Sequence, residues 1–299
     1  MTIILGETNT DGSGSSSNLT GDNGDIVLGT YIDEDGILAL DGDTRLGEVF
    51  DTATIYSDEW DLDGYKEASI DGSYDRITVT NVTDVNITNS ADSGVSHIEV
   101  LYAKRGQIDT SDSDSADSIF IAVTSNSASW SNMFEITTGA GNDFVEFYNV
   151  ANSNLTGFDV DLGTGNDTLD ISELLVATSN ADDRYATGGS GLDVLITNGD
   201  EAVDFADFEV ITGSSDVTVT LDADLIESNA SSELGLVVAD VELEISDDVS
   251  ATVTESLSGD QEDYLTELGY DASDFVAVDV ITDEGAYAIL TNDDSWAVA

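Results

Sequence analysis

Apolar and polar residues alternate in short runs along most of the chain, the period of two that β-strands require. Phe134-Glu-Ile-Thr, Phe158-Asp-Val-Asp and Phe208-Glu-Val-Ile each precede a polar turn, and a second alternating segment follows each turn. Apolar strands are also predicted earlier, at Ile3-Ile-Leu, Ile26-Val-Leu, Ile37-Leu-Ala-Leu and Ile77-Thr-Val-Thr-Asn-Val. Near the other end, Asp260 is placed to cap a short helix. Its Tyr264, Leu265 and Leu268 share a face, and Gly269 stops it. Two more strands are predicted after it, at Phe275-Val-Ala-Val-Asp-Val-Ile and Tyr287-Ala-Ile-Leu-Thr. No apolar run approaches the roughly 18 residues of a membrane-crossing helix.

The turns repeat. Gly139-Ala-Gly-Asn-Asp143, Gly163-Thr-Gly-Asn-Asp167 and Gly188-Gly-Ser-Gly-Leu-Asp193 share one pattern. Looser copies stand at Ser113-Asp-Ser-Ala-Asp117 and Gly213-Ser-Ser-Asp216, and a faint one at Ala239-Asp240. Their aspartates are spaced 26, 24, 26, 23 and 24 residues apart. One repeat therefore reads as strand, glycine turn, strand and loop. A unit that short cannot bury its apolar face alone, but copies stacked along an axis share a continuous core. The expected fold class is all-β, a parallel β-solenoid with calcium-binding glycine turns and an irregular β-module at the N-terminus. The predicted boundaries are 1–110 for an antiparallel or mixed β-module, 111–257 for the solenoid, and 258–299 for a C-terminal cap with the expected secretion signal. Phe134, Phe158 and Phe208 are expected to stack inside as a ladder, and Asp71-Gly-Ser-Tyr-Asp75 reads as a degraded turn. Ser13 to Ser17 reads as a plain turn.

Charge changes the picture. The 299 residues carry 63 Asp and Glu against 6 Lys and Arg, a formal charge of -57, so surface ion pairing cannot neutralise the molecule. A halophile's acidic proteome would explain that balance blandly. Self-repulsion opposes compaction, whereas hard divalent cations turn the same carboxylates into ligands. Nucleic acid and anionic membrane are disfavoured as partners, since both need a basic patch, and nothing after Arg184 is basic. With 40% hydrophobic residues a core is affordable. There are 27 glycines, no proline and no cysteine. Repeated strands need every backbone donor, which proline lacks. Without cysteine there are no disulfides, so rigidity outside a cell would come from metal. The start, Met1-Thr-Ile-Ile-Leu-Gly6, lacks a basic region and a long apolar run. Export by a route other than a cleaved leader is expected.

Glycine has a chemical use in such turns: it takes backbone angles closed to other residues, so its carbonyl can be aimed inward at a cation. The aspartate supplies charge, and the next apolar side chain is expected to point into the core and start the strand. Calcium takes about six to eight oxygens at about 2.3–2.6 Å, more than one turn offers, so two stacked turns would share an ion. The candidate ligand positions are Gly139, Gly141, Asp143, Gly163, Gly165, Asp167, Gly189, Gly191 and Asp193, joined by Asp117 and Asp216 where serine replaces glycine. Asn142 and Asn166 are expected to adopt the left-handed turn conformation rather than to ligate.

These turns resemble the glycine- and aspartate-rich nonapeptide of RTX proteins. The resemblance implies Ca2+-dependent folding outside the cell and export by type I secretion machinery that reads an uncleaved C-terminal signal. The acidic C-terminus, ending Ser295-Trp-Ala-Val-Ala299, looks compatible with one. RTX repeats follow one another about every nine residues; one copy per coil of about 25 looks more like the calcium-bound solenoids of S-layer and matrix proteins.

Catalytic readings fare worse. The one histidine, His97, sits in Val95-Ser-His-Ile-Glu-Val-Leu and reads as an ordinary strand residue. There is no Gly-x-Ser-x-Gly elbow, no His-Glu-x-x-His and no phosphate-cradling loop with lysine. Acid pairs for glycoside hydrolysis occur anywhere among 63 carboxylates and inform nothing. The expected function is a secreted, calcium-dependent, self-assembling structural protein, an S-layer or extracellular matrix subunit, and not an enzyme. Its expected partners are copies of itself, the secretion machinery and cell-surface polysaccharide. Two alternatives remain. A surface adhesin or an ice- or glycan-binding module would use aromatics such as Trp60 and Trp130. A carbohydrate-active β-helix would need a cleft lined by Lys66, Lys104, Arg105 or Arg184.

Overall fold

A computed structural model describes residues 74, 76–80, 84–90, 96–123, 133–149, 157–174, 184–199, 203–230, 234–247, 249–254 and 256–296. It also describes the strands Leu19–Thr20, Ile26–Val27, Tyr31–Ile32, Ile37–Leu40, Thr52–Tyr56 and Glu67–Gly72. Ser13 to Ser17, Trp60, Lys66, Trp130 and Ala299 lie outside the described residues.

The chain winds as a parallel β-solenoid with two main walls. One wall stacks Ile37–Leu40, Glu67–Gly72, Asp84–Asn89, Arg105–Asp109, Met133–Thr137, Gly157–Asp161, Arg184–Thr187 and Asp204–Ala206. The facing wall stacks Thr52–Tyr56, Arg76–Thr80, Ser96–Ala103, Asp117–Val123, Phe144–Asn149, Thr168–Glu173, Val194–Ile196, Val210–Thr212 and Leu236–Ala239. Successive strands alternate between the walls, and all these pairings are parallel. The parallel ladder runs without a break across the expected division at residue 110, because Arg105–Asp109 pairs with Asp84–Asn89 on one side and Met133–Thr137 on the other. Antiparallel pairing is found further upstream, between Tyr31–Ile32 and Ile37–Leu40 and between Leu19–Thr20 and Ile26–Val27.

Period-two patterning sets which side chains face in. Ile77 and Val79, Ile98 and Val100, Ile119 and Ile121, and Val145 and Phe147 come from one wall; Val85 and Ile87, Phe134 and Ile136, and Phe158 and Val160 come from the other. All are buried in one core. The expected phenylalanine ladder is only partly formed. Phe134 pairs with Phe158 in register, but the next rung is Arg184, and Phe208 packs instead on Phe205 with ring centroids 6.4 Å apart. The ring that completes the stack comes from the opposite wall. Phe147 lies 6.1 Å from Phe134 and 5.5 Å from Phe158, centroid to centroid.

The two walls finish differently at the C-terminal end. Helix Ala223–Asn229 is capped by Asp222, and its Asn229 donates to the Phe205 carbonyl and accepts from the Phe208 N–H, sealing the end of the first wall. The second wall continues through Ala286–Thr291, parallel to Leu236–Ala239, and then antiparallel through Val276–Ile281 and Ser250–Thr254. Helix Gly259–Glu267 starts one residue before the expected cap. Ser258 is its N-cap, in a reciprocal capping box with Gln261. Tyr264 and Leu265 of this helix cover Val237 and Leu290 on the outer face of the second wall.

Candidate functional site: an internal aspartate ladder

Asp117, Asp143, Asp167 and Asp193 occupy one inward-facing column at the corner between the glycine turns and the second wall. All four are buried, Asp167 and Asp193 completely. The aspartate itself faces in. The next apolar side chains after Asp117 and Asp167, Ile119 and Leu169, are in the core as expected, but after Asp143 the expectation fails: Phe144 is 36% exposed, while Val145 and Phe147 are in the core. The strand alternation begins at the aspartate rather than after it, which puts Asp143, Val145 and Phe147 on the same side.

Each rung is tied to its neighbour. The backbone N–H of Asp117 donates to Oδ1 of Asp143 at 2.7 Å, that of Asp143 to Asp167 at 2.7 Å, and that of Asp167 to Asp193 at 2.8 Å. Glu209 ends the series, its Oε2 accepting from Asp193 N–H at 2.8 Å. The sequence reading missed Glu209, because it counted another full period to Asp216. The coil between the two is shorter: only 16 residues separate Asp193 from Glu209. Asp216 sits instead on an exposed turn, where the Ser214 hydroxyl donates to it at 2.6 Å and holds its carboxyl below the usual range. Asp240 is also outside the column, exchanging hydrogen bonds with Asn292.

The other carboxylate oxygen of each rung has no hydrogen-bond partner: Oδ2 of Asp143, Asp167 and Asp193, and both oxygens of Asp117. A buried, unpartnered carboxylate is costly as an anion, so it takes up a proton or a cation. Burial accordingly pushes Asp117 up to about 6, with the Asp143 charge adding to the rise; Thr110 and Ser96 hydroxyls offset part of it from nearby without reaching hydrogen-bond geometry. Burial likewise pushes Asp167 up to about 7 and Asp193 to about 6, against the stabilising N–H of the preceding rung. The charges of Asp143 and Asp193 add to the rise at Asp167, and those of Glu209 and Asp207 to the rise at Asp193. Asp143 and Glu209 shift upward too, again chiefly by burial.

The glycines build the turn that carries this column. Gly139, Gly163 and Gly189 form one file, and Gly141, Gly165 and Gly191 a second. A Cβ on Gly165 would lie 1.5 Å from the Gly141 oxygen, and one on Gly191 1.4 Å from the Gly165 oxygen, with φ at +148° in both. No residue but glycine fits a carbonyl stacked that closely. The first-file carbonyls run along the solenoid axis rather than inward: Gly139 accepts from Thr164 N–H and Gly163 from Ser190 N–H, both at 2.9 Å. Asn142 and Asn166 are not left-handed; the positive angles belong to the glycines. They form an exposed ladder of their own, Asn142 accepting from Asn166 N–H and Asn166 from Leu192 N–H.

Hard carboxylate oxygens, orphaned and buried, are donors of the type calcium takes. Among the described residues no three acidic or histidine side chains converge on one point. An ion here would be held by the free oxygens of successive Asp rungs. No basic side chain bonds the ladder carboxylates among the described residues. Arg105 bonds Asp84 at 2.6 Å, Arg76 reaches Glu99 at 3.6 Å, and Arg184 is buried. His97 lies 3.3 Å from the Ser118 hydroxyl on the second wall. A pocket of about 380 Å³ near the C-terminal end is lined by Ile171, Leu195, Phe205, Leu225, Asp204 and Asp222 among others, with no basic side chain. The sequence matches no family model, and comparison with curated proteins and with solved structures finds no match.

Proposed function

We propose that this chain is a secreted structural protein, an S-layer or extracellular matrix subunit, whose solenoid is made rigid by calcium and which assembles with copies of itself. The observation that carries the reading is the column of four buried aspartates, each with an unpartnered oxygen, inside a chain of net charge -57. Asp117, Asp143, Asp167 and Asp193 would hold the ions, which would supply the positive charge that the column and the surface lack. Where calcium is scarce, as in cytosol, repulsion among the carboxylates keeps the chain open and exportable by type I machinery. Outside, millimolar calcium closes it. The role is structural: among the described residues no basic side chain lines the pocket.

Circular dichroism and electron microscopy of the purified chain, first in chelator and then in millimolar calcium, test this reading. A coil-to-strand change followed by sheets or filaments supports it. A chain already strand-rich and compact in chelator removes the calcium mechanism.

One observation favours a second reading, a glycan-binding adhesin. Tyr148 is 42% exposed and stacks on Phe120, with centroids 6.4 Å apart, on the outer face of the second wall. Sugar rings stack on such surfaces. Saturable binding to a polysaccharide by discrete monomers, lost in Tyr148→Ala, would select it.

A further inference from the structure

Among the described residues the second wall ends in two strands that match each other. At one end Thr52–Tyr56 reads Thr-Ala-Thr-Ile-Tyr and pairs only with Arg76–Thr80 among the described residues; at the other Ser250–Thr254 reads Ser-Ala-Thr-Val-Thr and pairs only with Val276–Ile281. Neither carries a charge, in a chain with 63 acidic residues. Free sheet edges are ordinarily protected by charge, proline or a bulge, because they template pairing with another chain. These two are not.

Direction and phase also agree. All strands from Thr52–Tyr56 to Leu236–Ala239 and on to Ala286–Thr291 run parallel. Val276–Ile281 reverses that direction and Ser250–Thr254 reverses it again, so the last strand runs the same way as the first. Ala251 and Val253 pair with the core residues Val280 and Val278, and Ala53 and Ile55 stand in register with the core residues Ile77 and Val79. In both edges it is the second and fourth of five positions that pair with core residues.

We infer that Ser250–Thr254 is the docking edge for Thr52–Tyr56 of a second copy of this chain, which extends the wall head to tail as one more parallel pair. The inference rests on the self-assembly reading and specifies its contact. Alignment in phase puts Thr252 beside Thr54 of the next copy, with Ala251 beside Ala53 and Val253 beside Ile55. A contact between two different edges is head to tail, so it does not close as a twofold dimer, and copies stacked along the solenoid axis grow as an open filament.

The test compares two double variants of the full chain in millimolar calcium, by negative-stain microscopy and sedimentation, with circular dichroism to confirm the fold. T252K/T54K places like charges opposite each other across the contact, and T252K/T54D places opposite ones there. Thr252 is exposed. The expected result is loss of filaments in T252K/T54K and their retention in T252K/T54D. Equal behaviour of the two, assembled or not, overturns the contact while leaving self-assembly standing. Discrete dimers from the unmodified chain would mean that the edge pairs with itself, and overturn it as well. An unmodified chain that stays monomeric in calcium overturns both the contact and the self-assembly reading.

Discussion

Oδ1 of Asp167 accepts the backbone N–H of Asp143 from the neighbouring coil at 2.7 Å, while Oδ2 of the same carboxyl has no partner. One oxygen therefore has a structural duty and the other does not, and substitutions separate them. Asp167→Asn keeps an acceptor for the N–H and removes the buried charge. At neutral pH in chelator it is expected to raise the urea midpoint and to blunt the gain on adding calcium. Asp167→Ala strands the N–H and costs about 1–3 kcal/mol in chelator. Equal midpoints for the two variants would count against the division of labour.

The pH dependence has a definite sign. In the fold Asp117 and Asp193 are pushed up to about 6 and Asp167 to about 7, from an ordinary 3.8. The native state thus keeps protons that the unfolded chain has released, and stability falls as pH rises through that window. In chelator, thermal melting should move to higher temperature on acidification from about pH 8 to about pH 5. Calcium inverts the trend, because protons compete for its oxygens: the calcium-loaded form should lose melting temperature on acidification through about pH 7 to 6. A chelated protein that melts lower at pH 5 than at pH 8 would contradict the buried ladder.

Gly165 and Gly269 make a matched comparison. Both have positive φ, but a Cβ on Gly165 meets the Gly141 oxygen at 1.5 Å, whereas one on Gly269 meets nothing within 4 Å. Gly269→Ala should cost only the left-handed backbone, about 1–2 kcal/mol. Gly165→Ala adds a backbone clash between coils and should cost at least about 3 kcal/mol, read as the shift in denaturant midpoint in calcium.

Phe147 and Tyr148 are neighbours with opposite fates. Phe147 is fully buried between Phe134 and Phe158, so Phe147→Ala should cost about 3–5 kcal/mol. Tyr148 is on the surface, and Tyr148→Ala should stay within about 0.5 kcal/mol. Chemical denaturation of the two variants checks both values.

The solenoid was legible because its signals are local and repeated: alternation marks the strands, and glycine turns about 25 residues apart mark the coils. Details that depend on register were not. Nothing in Gly139-Ala-Gly-Asn-Asp143 says that alternation starts at the aspartate, so the expected inward side chain was off by one residue. Glu209 escaped because a shortened coil breaks the count, and because a glutamate stands where the other rungs carry aspartate. Phe147 escaped because a ring from the facing wall cannot be placed from the spacing of rings on the first. The continuation of parallel pairing upstream of residue 110 rests on turns without the glycine pattern, whose pairing only the fold reveals.

Rungs that bond only to the coil before and the coil after make the length of this protein divisible. Excising residues 143–166 would join Asn142 to Asp167 and leave Gly139-Ala-Gly-Asn-Asp-Thr-Leu, a turn of the same pattern, with Asp167 now placed to receive the N–H of Asp117. Duplicating the same stretch would insert a rung by the same logic. A gene built this way can lengthen or shorten its product one coil at a time without inventing a new contact, so size becomes a copy number.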